Sequence, residues 1–141
     1  MTQTTILWPL LALAAWTSLV LLLIPVVRIR AGLKGEIRPD DFKYGESAQV
    51  PPHVSLPNRN YMNLLELPML FYVVGLMLYV TNGQTPITQT LAWAYVGLRI
   101  AHSMVHLSYN HVIHRLVVFA ASNLVLVILW MLAAQHVLSL P

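Results

Sequence analysis

The chain contains no cysteine, which removes disulfides, thiolate metal ligands and a cysteine nucleophile together. Charge is nearly as scarce. Among 141 residues there are eight Lys or Arg and five Asp or Glu, where a soluble domain carries about a quarter charged residues. A water-exposed globule is thereby excluded. Internal repeats and low-complexity tracts are also missing. Apolar side chains are abundant, at 57% of the sequence, in a length that suits one domain over residues 1–141. The few charges are placed unevenly. Ten of the thirteen lie between Arg28 and Arg59, leaving Glu66, Arg99 and Arg115 isolated in apolar surroundings. Most of the net charge of +3 is gathered in that one loop, which points to membrane topology and away from nucleic-acid binding.

A transmembrane helix needs roughly 20 mainly apolar residues. Ile6 to Val27 supplies 22 without a charge, with Pro9 near the start and Pro25 near the end. No basic residue precedes this run and no small-residue cleavage site follows it, so it reads as a span and not as a signal peptide. Further spans are expected over about 60–80, 86–109 and 112–137. The turn TNGQTP at Thr81 to Pro86 and the polar break at Ser108 to His111 make neighbours antiparallel. The expected fold is an all-α integral membrane protein, an antiparallel four-transmembrane-helix bundle. The segment Arg28 to Asn58, Pro-rich at Pro51 to Pro57, is expected to lie partly ordered on the membrane surface. Pro68 should kink the second span or open its backbone hydrogen bonds. Gly75 and Gly97 should permit close helix contact.

Orientation follows from the basic residues. Arg28, Arg30, Lys34, Arg38, Lys43 and Arg59 all fall between the first two spans, and the Thr81 to Pro86 turn and both termini have none. The 28–59 loop is therefore expected to be cytoplasmic, with both termini on the other side.

Ionisable residues inside spans are expensive and mark candidate sites. Arg59, Asn63 and Glu66 follow intervals of four and three, and so share one helix face. Arg99, His102, His106 and Tyr109 form a second such stripe. Both stripes, with Arg28 and Arg115, fall in the cytoplasmic half of the bilayer, Glu66 roughly 10 Å deep and Arg99 and His102 roughly 10–15 Å by helix rise. A Glu66–Arg99 ion pair is the natural way to offset two of these charges. A structural clasp would then explain the pair, but Arg28, Arg59, Arg99 and Arg115 outnumber the single carboxylate, which favours an anionic ligand held by guanidinium groups. His102 and His106 alone make a weak metal motif, since a catalytic zinc takes three protein ligands and adjacent arginines repel a cation. No metal is expected. A small four-span drug exporter would use Glu66 as its membrane acid, yet the surrounding arginines do not suit a cationic cargo.

At NRNYMNLLELP (Asn58 to Pro68) and GLRIAHSMVHLSYNHVIHR (Gly97 to Arg115), with VRIR closing the first span, the sequence resembles the MAPEG family, the membrane-associated proteins in eicosanoid and glutathione metabolism. The specific part is the ordered set: Asn-x-x-Glu early in span two, Arg-x-x-His in span three, and Arg at the start of span four.

The resemblance implies a homotrimer of left-handed four-helix bundles among membrane lipids, with glutathione as co-substrate between adjacent subunits near the cytoplasmic side. Carried over, Arg28, Arg59, Asn63, Glu66, Arg99 and His102 bind the tripeptide, with Glu66 accepting from its α-amino group. Arg115 matches the arginine that stabilises the thiolate, which would attack a lipophilic electrophile or reduce a hydroperoxide. The chain departs from the family's pattern in two places. His106 stands where members commonly have Tyr, and Phe119 where some do. Tyr109, next along the same stripe, would partly compensate, so His106 and Tyr109 join the candidate set. The same resemblance also covers lipid-binding scaffolds without catalysis.

Overall fold

The computed structural model describes residues 3–141, and in them the apolar runs become helices whose ends are set largely by proline. The helices are α1 (Leu7–Leu33), α2 (Pro52–Leu65), α3 (Pro68–Val80), α4 (Pro86–Leu107) and α5 (Val112–Leu138). Pro52, Pro68 and Pro86 each open a helix, where the missing N–H has no intrahelical acceptor to satisfy. Thr85 caps α4, its hydroxyl accepting from the Thr88 N–H at 3.2 Å. Asn82 and Asn110 adopt left-handed φ values of 56° and 49° where the chain reverses.

Pro68 interrupts the second span and does not merely bend it. It has no N–H for the Leu64 carbonyl, and α2 stops at Leu65 before α3 resumes. The two halves make one broken rod, so the bundle has four rods among the described residues. Three stretches, Gln3–Leu33, Pro52–Val80 and Val112–Leu138, are long and apolar enough to cross a membrane. The 22 residues of α4 span about 33 Å at the usual rise. Its composition is less apolar because Thr88, Arg99, His102, Ser103 and His106 point into the bundle, where all are buried.

The packing explains how a polar helix is tolerated. α4 makes its broadest contact with α5 and also touches α1 and α2. Leu13, Val74, Tyr95, Leu129 and Ala133 lie at the centre, each 1% exposed or less. Gly75 lets α3 approach α1 so closely that a Cβ would meet Leu10 Cδ1 at 2.6 Å. Gly97 does not play the expected part: nothing lies within 4 Å of where its Cβ would be. The outer surfaces of α1, α3 and α5 stay apolar, with Leu11, Leu22, Val73, Leu124 and Val127 exposed, as a lipid-facing surface requires.

The 28–59 segment is more built than its composition suggests. α1 continues to Leu33, a 3-10 turn forms at Pro39–Phe42, and α2 begins at Pro52. Ala31, Val50 and Val54 form a small second core, against which Val27, Ile37 and Phe42 pack. The run Pro51 to Pro57, expected as loop, is therefore mostly helix. Pro57 is tolerated inside α2 because the His53 carbonyl it leaves unpaired belongs to an exposed residue.

Candidate functional site

The broken rod leaves the last carbonyls of α2 without intrahelical donors. Arg99 on α4 answers this: its Nη2 donates to the Asn63 carbonyl at 2.5 Å. A cation at a helix C-terminus also meets the negative end of the helix dipole. The residue is fully buried, yet its Nε and Nη1 have no hydrogen-bond partner. An unpartnered buried guanidinium edge is costly, and so marks a place where an acceptor belongs.

In front of this arginine a cleft of about 440 Å³ opens between α2, α4 and α5, lined by Asn63, His102, Val112, Arg115, Leu116 and Phe119. A second cleft of about 310 Å³ is lined by Arg59, Met62, His106 and Asn110, and it shares Asn63 and Arg115 with the first. The two therefore adjoin. Phe119 closes the back of the first, its ring centre 5.6 Å from the Arg99 guanidinium carbon and 5.8 Å from the His102 ring. His102 and His106 lie nearly parallel at 5.9 Å, both buried, each with an unpartnered Nδ1. Arg115 is anchored through Nη1 to the Asn110 side-chain oxygen at 2.7 Å, and its buried Nε is free. No carboxylate lines either cleft. The arrangement presents guanidinium and imidazole nitrogens to an anionic guest.

The structure thus gathers Arg59, Asn63, His102, His106 and Arg115 around two adjoining clefts, with Arg99 buried behind them against Asn63 and Phe119. Three other candidates lie elsewhere within the chain. Arg28 meets Glu46 at 3.4 Å and stacks on Phe42 at 4.2 Å, at the end of α1. Glu66 is exposed at the break in the rod, and the expected Glu66–Arg99 ion pair does not form among the described residues. Arg99 is spent instead on the Asn63 backbone, because the helix end it caps is created one turn before Pro68. Tyr109 leaves the expected stripe for a plain reason: α4 ends at Leu107. Its hydroxyl meets His114 Nδ1 at 3.0 Å in the exposed connection to α5.

Some polar residues of this region escape a reading of spacing. Asn60 is fully buried with its whole side-chain amide unpartnered, and Ser103 and Tyr95 hide unpartnered hydroxyls. Asn60 falls on the packed face of α2 with Pro57 and Leu64, so only a polar residue at an apolar interval would have flagged it. Asn110 carries a signal that was legible, a turn-forming residue five before an arginine.

A family model described as MAPEG family matches residues 6–135, nearly the whole chain. No curated protein matches, and no solved structure does.

Proposed function

The chain belongs to the MAPEG family, and from that premise we propose that it is a membrane-bound, glutathione-dependent transferase or peroxidase acting on lipophilic electrophiles or hydroperoxides. The observation that carries this reading is the Arg99 guanidinium, buried beside the cleft with Nε and Nη1 unpartnered and no carboxylate in the cleft lining. Glutathione fits that donor set. It brings two carboxylates to an arginine-rich cleft whose volume lies within the usual range for small-molecule sites, roughly 300–1,000 Å³.

In this reading Arg59 and Arg99 take the carboxylates in charge-assisted hydrogen bonds. Asn63 and His102 fix the peptide between them, and His106 widens the donor set on the Arg59 side. Glu66, exposed one turn beyond Asn63, accepts from the α-amino group. Arg115 holds its free Nε toward the sulfur. A thiol of pKa about 8.5 is mostly protonated at neutral pH, and a neighbouring cation favours its thiolate. The proton passes to water, and the sulfur lone pair then forms a thioether, either displacing a leaving anion from a saturated or aryl carbon or adding to an activated double bond whose carbanion takes a proton from water. With a hydroperoxide, two thiols give one disulfide while the peroxide becomes an alcohol and water.

We further propose a homotrimer, with the 28–59 loop cytoplasmic and both termini on the opposite side. Isothermal titration of the detergent-purified protein tests the core of the reading. Glutathione should bind saturably, Arg99→Leu and Glu66→Gln should weaken it at least tenfold, and Arg115→Ala should remove the ultraviolet absorbance of bound thiolate. Folded wild-type protein that takes up no glutathione at millimolar concentration would refute it.

A second reading, a non-catalytic lipid-binding scaffold of the same fold, is favoured by the groove of about 520 Å³ between α3 and α5. Leu67, Leu70, Leu126, Val127 and Trp130 make it almost wholly apolar. That reading expects copurifying lipid and no thiolate signal.

A further inference from the structure

A smaller cleft lies apart from the one above, where α1 passes beyond its apolar run. It measures about 230 Å³, and its wall is apolar except for Arg28 and Arg38, with Ile29, Gly32, Ile37 and Phe42 supplying most of the rest. The site is built and not draped. A Cβ at Gly32 would meet nothing within 4 Å, so the helix surface is open there. The facing segment is held down by the packing of Ile37 and Phe42 on Ala31, Val50 and Val54. The Arg38 N–H donates to the Asp41 carboxylate at 2.7 Å, which fixes the turn carrying both.

The cations here keep free donors. Arg28 Nε is buried with no partner, and Nη2 reaches Glu46 only at 3.4 Å. Phe42 holds the Arg28 guanidinium by its face, 4.2 Å from the ring centre. Among the described residues Arg38 makes no ion pair. Of the acids nearby, Glu46 pairs with Arg28 Nη2, Asp41 accepts from the Arg38 backbone and Glu36 meets His53 at 2.9 Å. The end of α1 would ordinarily repel an anion. Here, however, the Arg30, Ala31 and Gly32 carbonyls already accept from Lys34, Glu36 and Gly35.

Depth completes the argument. The apolar run stops at Val27, and α1 rises about 9 Å further to Leu33, through the level of the lipid headgroups. Ile29 and Leu33 remain 62% and 85% exposed along this rise. A free ion has no use for such an apolar wall; an amphiphile does.

We propose that this cleft binds the headgroup phosphate of an anionic phospholipid. Arg28 Nε and the Arg38 guanidinium take the phosphate oxygens, a geometry that guanidinium matches in a bidentate fork. Ile29, Ile37 and Phe42 cover the first carbons of the lipid. Basic groups just beyond a transmembrane helix draw anionic headgroups by simple electrostatics. The site uses neither Arg99 nor Arg115; it takes Arg28, which the family resemblance assigns to the tripeptide and which lines neither of the clefts beside Arg115.

Native mass spectrometry of the full chain released from detergent tests this, with phosphatidylglycerol and phosphatidylcholine offered at equal concentration. The protein should retain phosphatidylglycerol at least fivefold over phosphatidylcholine. Arg38→Gln, a change on an exposed turn, should cut that preference about fivefold, the effect of one surface cation. Gly32→Leu, which fills the cleft, should abolish it. Equal retention of the two lipids overturns the proposal, as does a preference that survives Arg38→Gln. Inorganic phosphate that displaces the lipid at equal concentration would identify a free-anion site and overturn it too.

Discussion

The Arg99 guanidinium caps a helix end that Pro68 creates: Nη2 donates to the Asn63 carbonyl at 2.5 Å, where α2 stops at Leu65. Pro68 deprives the preceding turn of a donor, and the last carbonyls of α2 then need partners from outside the helix. One buried cation thus serves the fold with one N–H and keeps Nε and Nη1 unpartnered behind the cleft, against Phe119. The fold and the candidate site are coupled through a single side chain.

A double-mutant cycle measures that coupling. Arg99→Leu should destabilise the protein by about 1–3 kcal/mol, since it strands the Asn63 carbonyl. Pro68→Ala restores the backbone donor and lets α2 and α3 join. The cost of Arg99→Leu should then shrink by at least about 0.5 kcal/mol in the Pro68→Ala background, as contacting residues couple. Denaturant unfolding in detergent reads both terms. Strict additivity would show that the cap is idle.

Much of this was legible in the sequence. The membrane bundle followed from apolar run length and from charge confined to one loop. The face shared by Arg59 and Asn63, and the stripe of Arg99, His102 and His106, followed from helical intervals. What spacing did not reveal was competition for each group. A carboxylate and a guanidinium at similar depth suggest an ion pair, but Arg99 meets the Asn63 carbonyl at the helix end ahead of Pro68, and side-chain intervals carry no record of orphaned backbone. Tyr109 fell off its stripe because helix ends are the least determined part of any periodic pattern. Asn60 stayed hidden for the opposite reason: it sits at a core interval, where an apolar residue is expected.

Phe119 should be a structural partner of the arginine and more than a filler. Its ring centre lies 5.6 Å from the Arg99 guanidinium carbon, within the range of a cation–π contact. Phe119→Leu keeps apolar bulk and removes the ring, so stability should fall by about 1–2 kcal/mol. Phe119→Tyr keeps the ring and should lose much less. Unfolding curves of the two variants decide it; equal losses would place the effect in packing alone.

Asn110 should matter to Arg115 independently of the turn it makes. Its φ of 49° suits glycine, so Asn110→Gly keeps the turn and removes only the acceptor bonded to Arg115 Nη1 at 2.7 Å. Stability should change by less than about 1 kcal/mol. Turnover of a generic electrophile with glutathione should drop about tenfold, equivalent to about 1.4 kcal/mol of lost positioning. Steady-state rates and unfolding curves on one preparation separate the two effects. An unchanged rate would mean that the bond to Asn110 does not orient the arginine.

The opposite end of the bundle offers a test free of any functional premise. His136 near the end of α5 bonds through Nε2 to the Thr81 carbonyl at 3.0 Å, tying that helix to the turn between α3 and α4. Gly83 lies directly beneath the imidazole, and a Cβ there would press on the ring. Gly83→Ala must therefore push His136 away and break the tie, at a cost of about 1–3 kcal/mol for the stranded carbonyl and the displaced ring. His136→Ala removes both the bond and the obstacle. In the His136→Ala background the added alanine has nothing left to displace, so Gly83→Ala should cost less than about 0.5 kcal/mol. Thermal unfolding of the four proteins in detergent gives the cycle. If Gly83→Ala is equally damaging with and without the imidazole, the cause lies in the backbone of the turn and not in the ring.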